Sequence, residues 1–250
     1  MLSSPPTPMV GARFERQLSV PGFGVEQQQR LRAATALIAG IGGVGGAAAT
    51  YLAAAGIGRL ILVHPGMLEE PDLNRQTLMV PEWLGAPRVD CAARTLGKHY
   101  RDVEIEPYPW DLVDPRLPIL LREADIVVDA RHNFPERYLL NRMCVQAKVP
   151  LVVAAMNATE GYVLSVAPGT PCLRCVFRDG DPSWQPLNFP VVGAVAGVAG
   201  CLAAMEAVKV VAGFGRPAVG RLVHFDLWDV EFGALRTHRD PRCPDCGDTT

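Results

Sequence analysis

The stretch Ala36-Leu37-Ile38-Ala39-Gly40-Ile41-Gly42-Gly43-Val44-Gly45-Gly46 decides the fold. Its apolar run, 36–39, predicts a strand, and the small residues after the glycines predict a helix over Gly45–Ala55. A strand that feeds G-x-G-x-x-G and then a helix is the nucleotide-binding arrangement of doubly wound α/β sheets. Glycines allow a sharp turn and close approach to phosphates, and the helix N-terminus offers free N–H groups to an anion. In dinucleotide-binding proteins an acid follows about 20 residues on and bonds a ribose hydroxyl. Here the next strand, Leu60–Val63, ends at His64 instead.

Outward from this turn, strands and helices alternate. Helix Glu26–Arg32 precedes it. Helix Arg88–His99, strand Val103–Tyr108, helix Pro115–Glu123, strand Ile126–Asp129, helix Glu136–Ala147 and strand Leu151–Ala155 follow. The strands are near-continuous runs of Val, Ile and Leu, as expected for burial on both faces of a mostly parallel sheet. After residue 155 the pattern changes to strand Tyr162–Val166, helix Pro190–Val211, and an antiparallel pair, Leu222–Trp228 with Glu231–Thr237. The small residues Gly193, Ala196, Gly197 and Gly200 predict close helix packing, within the chain or across a dimer seam. The predicted class is therefore α/β: a doubly wound, mostly parallel Rossmann-like sheet with a C-terminal antiparallel extension. Residues 1–12 are expected to be a flexible tail, and 13–250 a single domain.

Composition narrows the function. With 250 residues, 49% apolar and 20% charged, the chain can bury a large core. A net charge of −2 gives no support to a nucleic-acid-coating role. The uncharged stretch 189–205 is shorter than a ~20-residue membrane span and is expected to be a buried helix. No leader is expected in residues 1–12, and a cytoplasmic location follows from the cysteine pattern. Four of the seven cysteines form two pairs, Cys172-Leu-Arg-Cys175 and Cys243-Pro-Asp-Cys246. Together these can give one zinc ion four thiolates at ~2.3 Å, a closed site with a structural role. Cys91, Cys144 and Cys201 read as ordinary buried thiols.

With these motifs in place, the chain resembles the MoeB/ThiF/HesA family, the bacterial relatives of ubiquitin-activating enzymes. Arg13-Phe-Glu-Arg-Gln-Leu18 is similar to the family's opening segment. Gly40–Gly46 is similar to its glycine loop, Asp72-Leu-Asn-Arg-Gln76 to its N-L-x-R-Q motif, and Asn133-Phe134 with Arg137-Tyr-Leu-Leu-Asn141 to the segment after its catalytic acid. The cysteine pairs resemble its zinc site. The resemblance implies ATP and Mg²⁺, and a ubiquitin-like sulfur carrier with a Gly-Gly tail that is converted to an acyl-adenylate with loss of pyrophosphate. It implies a homodimer, or a heterodimer with an intact paralogue. It divides the domain into a nucleotide-binding half, about 35–155, and a carrier-binding and zinc half, about 156–250.

Carried over by resemblance, Arg16 is the arginine that family members extend into a partner's site. Arg75 and Arg88 bind phosphates, Arg88 standing where the family has lysine. Gly40, Gly42, Gly43, Gly45, Asp72 and Asn74 belong to the nucleotide site. His64 replaces the ribose-binding aspartate and His132 the Mg²⁺-binding aspartate, and imidazole is a poor ligand for so hard a cation. Asp129, three residues before His132, is a candidate substitute for metal or ribose. The loop 176–190, over the carrier tail in the family, has no cysteine for a covalent intermediate. Two readings follow: an active adenylyltransferase, or a catalytically degenerate member that serves as the non-catalytic half of a dimer or as a carrier-binding scaffold. A dinucleotide-dependent oxidoreductase fits worse, because it leaves the cysteine pairs and the N-terminal arginine motif without a role.

Overall fold

The computed structural model describes residues 12–178 and 190–247. A 3₁₀ turn, Ala12–Phe14, leads into α1 (Glu15–Leu18) and α2 (Val25–Ala33). The alternating core follows: β1 (Thr35–Ala39), α3 (Gly43–Ala55), β2 (Arg59–Val63), α4 (Arg88–His99), β3 (Glu104–Tyr108), α5 (Leu117–Glu123), β4 (Ile126–Asp129), α6 (Phe134–Ala147) and β5 (Leu151–Asn157). The remainder is β6 (Glu160–Val166), α7 (Leu173–Val176), α8 (Gly193–Ala212), β7 (Arg221–Asp226) and β8 (Glu231–Arg236).

The strands form one sheet in the order β3-β2-β1-β4-β5-β6-β7-β8. The first five run parallel, and β6, β7 and β8 are added antiparallel. The order reverses between β1 and β4, and such switch points are where sheets of this class open a crevice beyond their carboxyl ends. Register lines up Ala39 with Val63 on one side and with Asp129 on the other. Gly40, His64 and Ala130, the residues that follow, therefore leave the sheet side by side.

Both faces of the sheet are covered, which explains the continuous apolar strands. Ala36, Ile38, Leu60, Leu62, Ile126 and Val128 pack on one side with Leu52 of α3, Leu96 of α4 and Ala203 of α8. Leu37, Ala39, Ile61, Val63 and Val127 pack on the other with Leu117, Leu120, Leu140 and Leu173. Full burial of each such leucine, isoleucine or valine contributes about 1.5–3 kcal/mol.

The expected elements form with small shifts at their ends. α3 begins at Gly43, not Gly45, because extended Gly42 caps it. α6 begins at Phe134 because Asn133 caps it, its side-chain oxygen accepting from the Glu136 N–H at 2.8 Å. The small-residue face of α8 packs within the chain. A Cβ on Gly200 would lie 2.4 Å from the Val44 carbonyl, and one on Gly193 2.4 Å from that of Asn74, whereas Gly197 faces open space. α8 is long and apolar enough to cross a membrane by length and composition, and half of its apolar window is buried inside the fold. Glu206, at 5% exposure, ties it down by accepting from the Ser165 hydroxyl (2.7 Å) and the Ala218 N–H (2.5 Å) and pairing with Lys209. Apart from Ala12, the expected tail lies outside the described residues, as do 179–189 of the loop 176–190.

Candidate functional site

The glycine turn and the loops after β2 and β4 leave the sheet side by side, and the region they border is the candidate nucleotide basin. A Cβ on Gly40, whose φ is +100°, would lie 2.6 Å from the Ala130 carbonyl, and one on Gly45 would lie 1.8 Å from the Gly40 carbonyl. The turn thus has room only for glycine at these positions. Gly42 gives α3 no side-chain cap, so the first-turn N–H groups face outward with the helix's partial positive charge.

One arginine lies on this helix end and a second on the loop after β2. Arg75 lies against Gly43, where an added Cβ would meet its Cγ at 3.2 Å, and Arg88 lies against Gly66 in the same way at 3.3 Å. Both are held by Asp72, whose Oδ1 accepts from Arg75 (3.2 Å) and whose Oδ2 pairs with Arg88 (2.8 Å) and accepts from the Glu69 N–H (3.1 Å). Asp72 is 4% exposed, so it positions two guanidiniums rather than presenting an oxygen to a ligand. Asn74 helps, its side-chain Oδ1 accepting from Arg75 at 2.9 Å.

Below them lies a charged layer that the sequence did not reveal. Arg131, 3% exposed, forks onto Glu136, donating from Nε (3.1 Å) and Nη2 (2.5 Å). Its Nη1 donates to His64 Nδ1 at 2.8 Å, while Arg88 Nη1 stands 3.2 Å from His64 Nε2. A neutral imidazole accepts at one nitrogen only, and we assign acceptance to Nδ1, the shorter contact. Burial, followed by the charges of Arg131 and Arg88, pushes the His64 pKa down to about 3. His64 is therefore a neutral spacer between two guanidiniums. His132 sits at the rim, its side chain 45% exposed, with Nδ1 4.0 Å from Glu136, and its pKa is lowered mainly by burial.

Asp129 does not act as the substitute ligand. It is completely buried, accepts from the Arg131 N–H at 2.9 Å and faces Arg137 at 3.3 Å, while burial raises its pKa. Asp72, Asp129 and Glu136 are each paired with arginine, and the side chains at positions 64 and 132 are imidazoles, poor ligands for Mg²⁺, which takes oxygen ligands in near-octahedral order.

Arg16 is elsewhere in its own chain. Neighbouring Arg13 donates to the Ala53 carbonyl and Gln17 to that of Ala55, which docks α1 on the far end of α3. Thirteen residues of helix separate that end from Gly43, about 20 Å. Arg16 itself is exposed.

The four cysteines converge from opposite parts of the sequence. Their Sγ atoms all lie within 4.8 Å of one another, with Cys172 3.6 Å from Cys243 and Cys175 3.4 Å from Cys246. Tetrahedral bonds of ~2.3 Å to one ion require sulfurs about 3.8 Å apart, so the cluster fits a metal such as zinc. Buried Asn141 braces it, accepting from the Leu173 N–H (3.0 Å) and donating to Asp245 (2.8 Å). Burial pushes the Cys172 thiol up, and Cys246 is pushed up to about 11 by burial and its hydrogen bond with Cys175, so metal entry would displace protons.

Comparison with known proteins agrees with this geometry. A family model described as "ThiF family" matches residues 14–245. The chain is 47% identical to Protein HesA of Leptolyngbya boryana over 243 residues, 96% of this chain and 87% of that protein. It is 38% identical to the sulfur carrier protein adenylyltransferase of Thermus thermophilus over 245 residues, 94% of this chain and 90% of that one. The crystal structure of E. coli MccB with ATP superposes with a TM-score of 0.83 at 24% identity, covering 95% of this chain and 75% of that chain, which shows a shared fold.

Proposed function

Because the chain belongs to the ThiF family, we propose that it activates a C-terminal carboxylate by ATP-dependent adenylation. The substrate would be a ubiquitin-like sulfur carrier with a Gly-Gly tail, or a peptide with a similar end. One arrangement carries this reading: the Arg75 side chain lies against Gly43 in the first turn of α3, and Asp72 holds Arg75 and Arg88 together, at the point where the strand order reverses. In the step proposed, a carboxylate oxygen of the tail bonds to the α-phosphorus. The bond from that phosphorus to the bridging oxygen breaks, and its electron pair leaves with pyrophosphate. Catalysis of this type is positioning plus neutralisation of moving charge. The glycine-loop N–H groups hold the phosphates, Arg75 and Arg88 take up the charge on the leaving pyrophosphate, and His132 lies at the rim of the path.

The carrier-binding half would be residues 156–250, whose exposed Trp228, Val230, Phe232 and Leu235 offer apolar surface at the sheet edge. The remoteness of Arg16 from its own basin supports service in a second subunit's site. Zinc held by Cys172, Cys175, Cys243 and Cys246 would tie the C-terminal end to the segment after β6, as a closed structural site with no open position for substrate.

Exchange of labelled pyrophosphate into ATP, measured with carriers and peptides ending in Gly-Gly, tests the proposal. Exchange that depends on the carrier and falls about 100-fold in Arg75→Ala supports it. No exchange with any candidate tail overturns it. The pairing of Asp72, Asp129 and Glu136 with arginines favours one second reading, the non-catalytic half of a heterodimer. Exchange that appears only when an acid-bearing family member is added would select it.

A further inference from the structure

Gln76 closes the motif Asp72-Leu-Asn-Arg-Gln76, and the adenylation reading leaves it without a role. Its backbone is fixed. Its N–H donates to the Asp72 carbonyl at 3.0 Å, and its own carbonyl accepts from the Met79 N–H at 2.9 Å. The loop that carries it lies along the start of α3. A Cβ on Gly43 would meet Arg75 Cγ at 3.2 Å, one on Gly46 would meet Leu78 Cδ1 at 3.6 Å, and one on Gly42 would meet Gln76 Nε2 at 3.8 Å. Gln76 is 2% exposed, yet neither end of its amide makes a hydrogen bond among the described residues. Oε1 is sealed inside the protein, whereas Nε2, on the side of Gly42, is not. Most buried polar groups are bonded, and an unpaired one is costly.

The chemistry around this amide says what completes it. Gly42 is the N-cap of α3 and brings no side-chain acceptor, so the first-turn N–H groups stand as donors. Nε2 is a donor as well. Donors that converge on one point are satisfied by an acceptor, and the partial positive charge of the helix end favours an anionic one. We propose that Gln76 is a further binding residue of the nucleotide site, its amide N–H donating to a phosphate oxygen held at the N-terminus of α3. The last torsion of a glutamine side chain is broad, so the amide turns toward the ligand at little cost. Asp72, almost as buried, differs in having both oxygens taken by arginines, whereas the hydrogen-bonding capacity of Gln76 is unused.

This inference rests on the adenylation proposal for the identity of the ligand, and the experiment separates the two. The native protein and Gln76→Met, which keeps the length of the side chain and removes both polar atoms, are titrated calorimetrically with ATP and with inorganic tripolyphosphate in MgCl2. Their melting temperatures without ligand are compared. Gln76→Met is expected to bind both ligands about tenfold to 100-fold more weakly. Its melting temperature is expected to equal or exceed the native one, because apolar atoms replace an unpaired amide. Gln76→Glu, of the same shape, is expected to weaken ATP binding at least as much, because its carboxylate takes the helix end and repels phosphate. Native affinity in either variant overturns the inference and leaves adenylation standing. Weaker ATP binding with unchanged tripolyphosphate binding also overturns it, because the contact is then not to phosphate. So does a lower melting temperature or failure to fold in Gln76→Met, because the amide then serves the fold. No binding of ATP by the native chain overturns both proposals.

Discussion

His64→Asn tests the neutral spacer directly. The amide oxygen of asparagine can accept from Arg131 as Nδ1 does, so the fork is kept while the titrating group is removed. In the native chain the folded state holds His64 neutral down to about pH 3, whereas the unfolded imidazole titrates at its ordinary value, 6.5. A group whose folded pKa is depressed contributes stability that is complete above 6.5 and is lost as the pH falls toward 3. At pH 5 the unfolded state gains about 2 kcal/mol from protonating this one side chain. With a urea slope of about 2 kcal/mol/M, that is a midpoint shift of roughly 1 M. Burial raises the Asp129 pKa and acts in the opposite direction, so the informative quantity is the difference between native and variant. Urea unfolding at pH 7.5 and pH 5.0 should show the native chain losing about 2 kcal/mol more than His64→Asn. Equal losses would refute the buried, arginine-flanked placement of His64.

Other expectations concern the frame and the metal. Gly45→Ala should abolish folding or cost more than about 3 kcal/mol, because its Cβ would lie 1.8 Å from a carbonyl oxygen. Gly97→Ala, in α4 with open space around it, should gain about 0.5–1 kcal/mol, and thermal unfolding compares the two. Glu206→Ala should cost about 2–4 kcal/mol in denaturant unfolding, since it strands the Ser165 hydroxyl and the Ala218 N–H inside the protein. Cys243→Ser should lower bound zinc, measured by metal analysis, to well below one equivalent and reduce the melting temperature. Chelator should reproduce that drop in the native chain and leave the variant unchanged.

The sequence shows most clearly the features that local chemistry dictates. Only a strand, a glycine turn and a helix satisfy residues 36–55, and two C-x-x-C pairs have few other uses, so the β1–α3 unit and the cysteine cluster were both legible. Helix ends moved by two or three residues because caps such as Asn133 depend on one hydrogen bond. The basin's electrostatics were not legible. Asp129 looked available as a ligand, but a strand covered on both faces can turn its last side chain to either, and the register places this one against Arg137. Arg131 carried no motif. The signal that was present, Asn133 followed three residues later by Glu136, marks a helix cap, yet it gives no sign that Glu136 also receives a buried guanidinium. Arg16 could be placed only once Arg13 and Gln17 were seen to anchor α1 at the far end of α3.

The most direct test of the whole account is a crystal structure of the protein with a non-hydrolysable ATP analogue. The account predicts the triphosphate at the N-terminus of α3, over Gly42 and Gly43, with Arg75 and Arg88 within hydrogen-bond distance of phosphate oxygens. Nucleotide bound elsewhere, or a triphosphate contacting neither arginine at full occupancy, would contradict it.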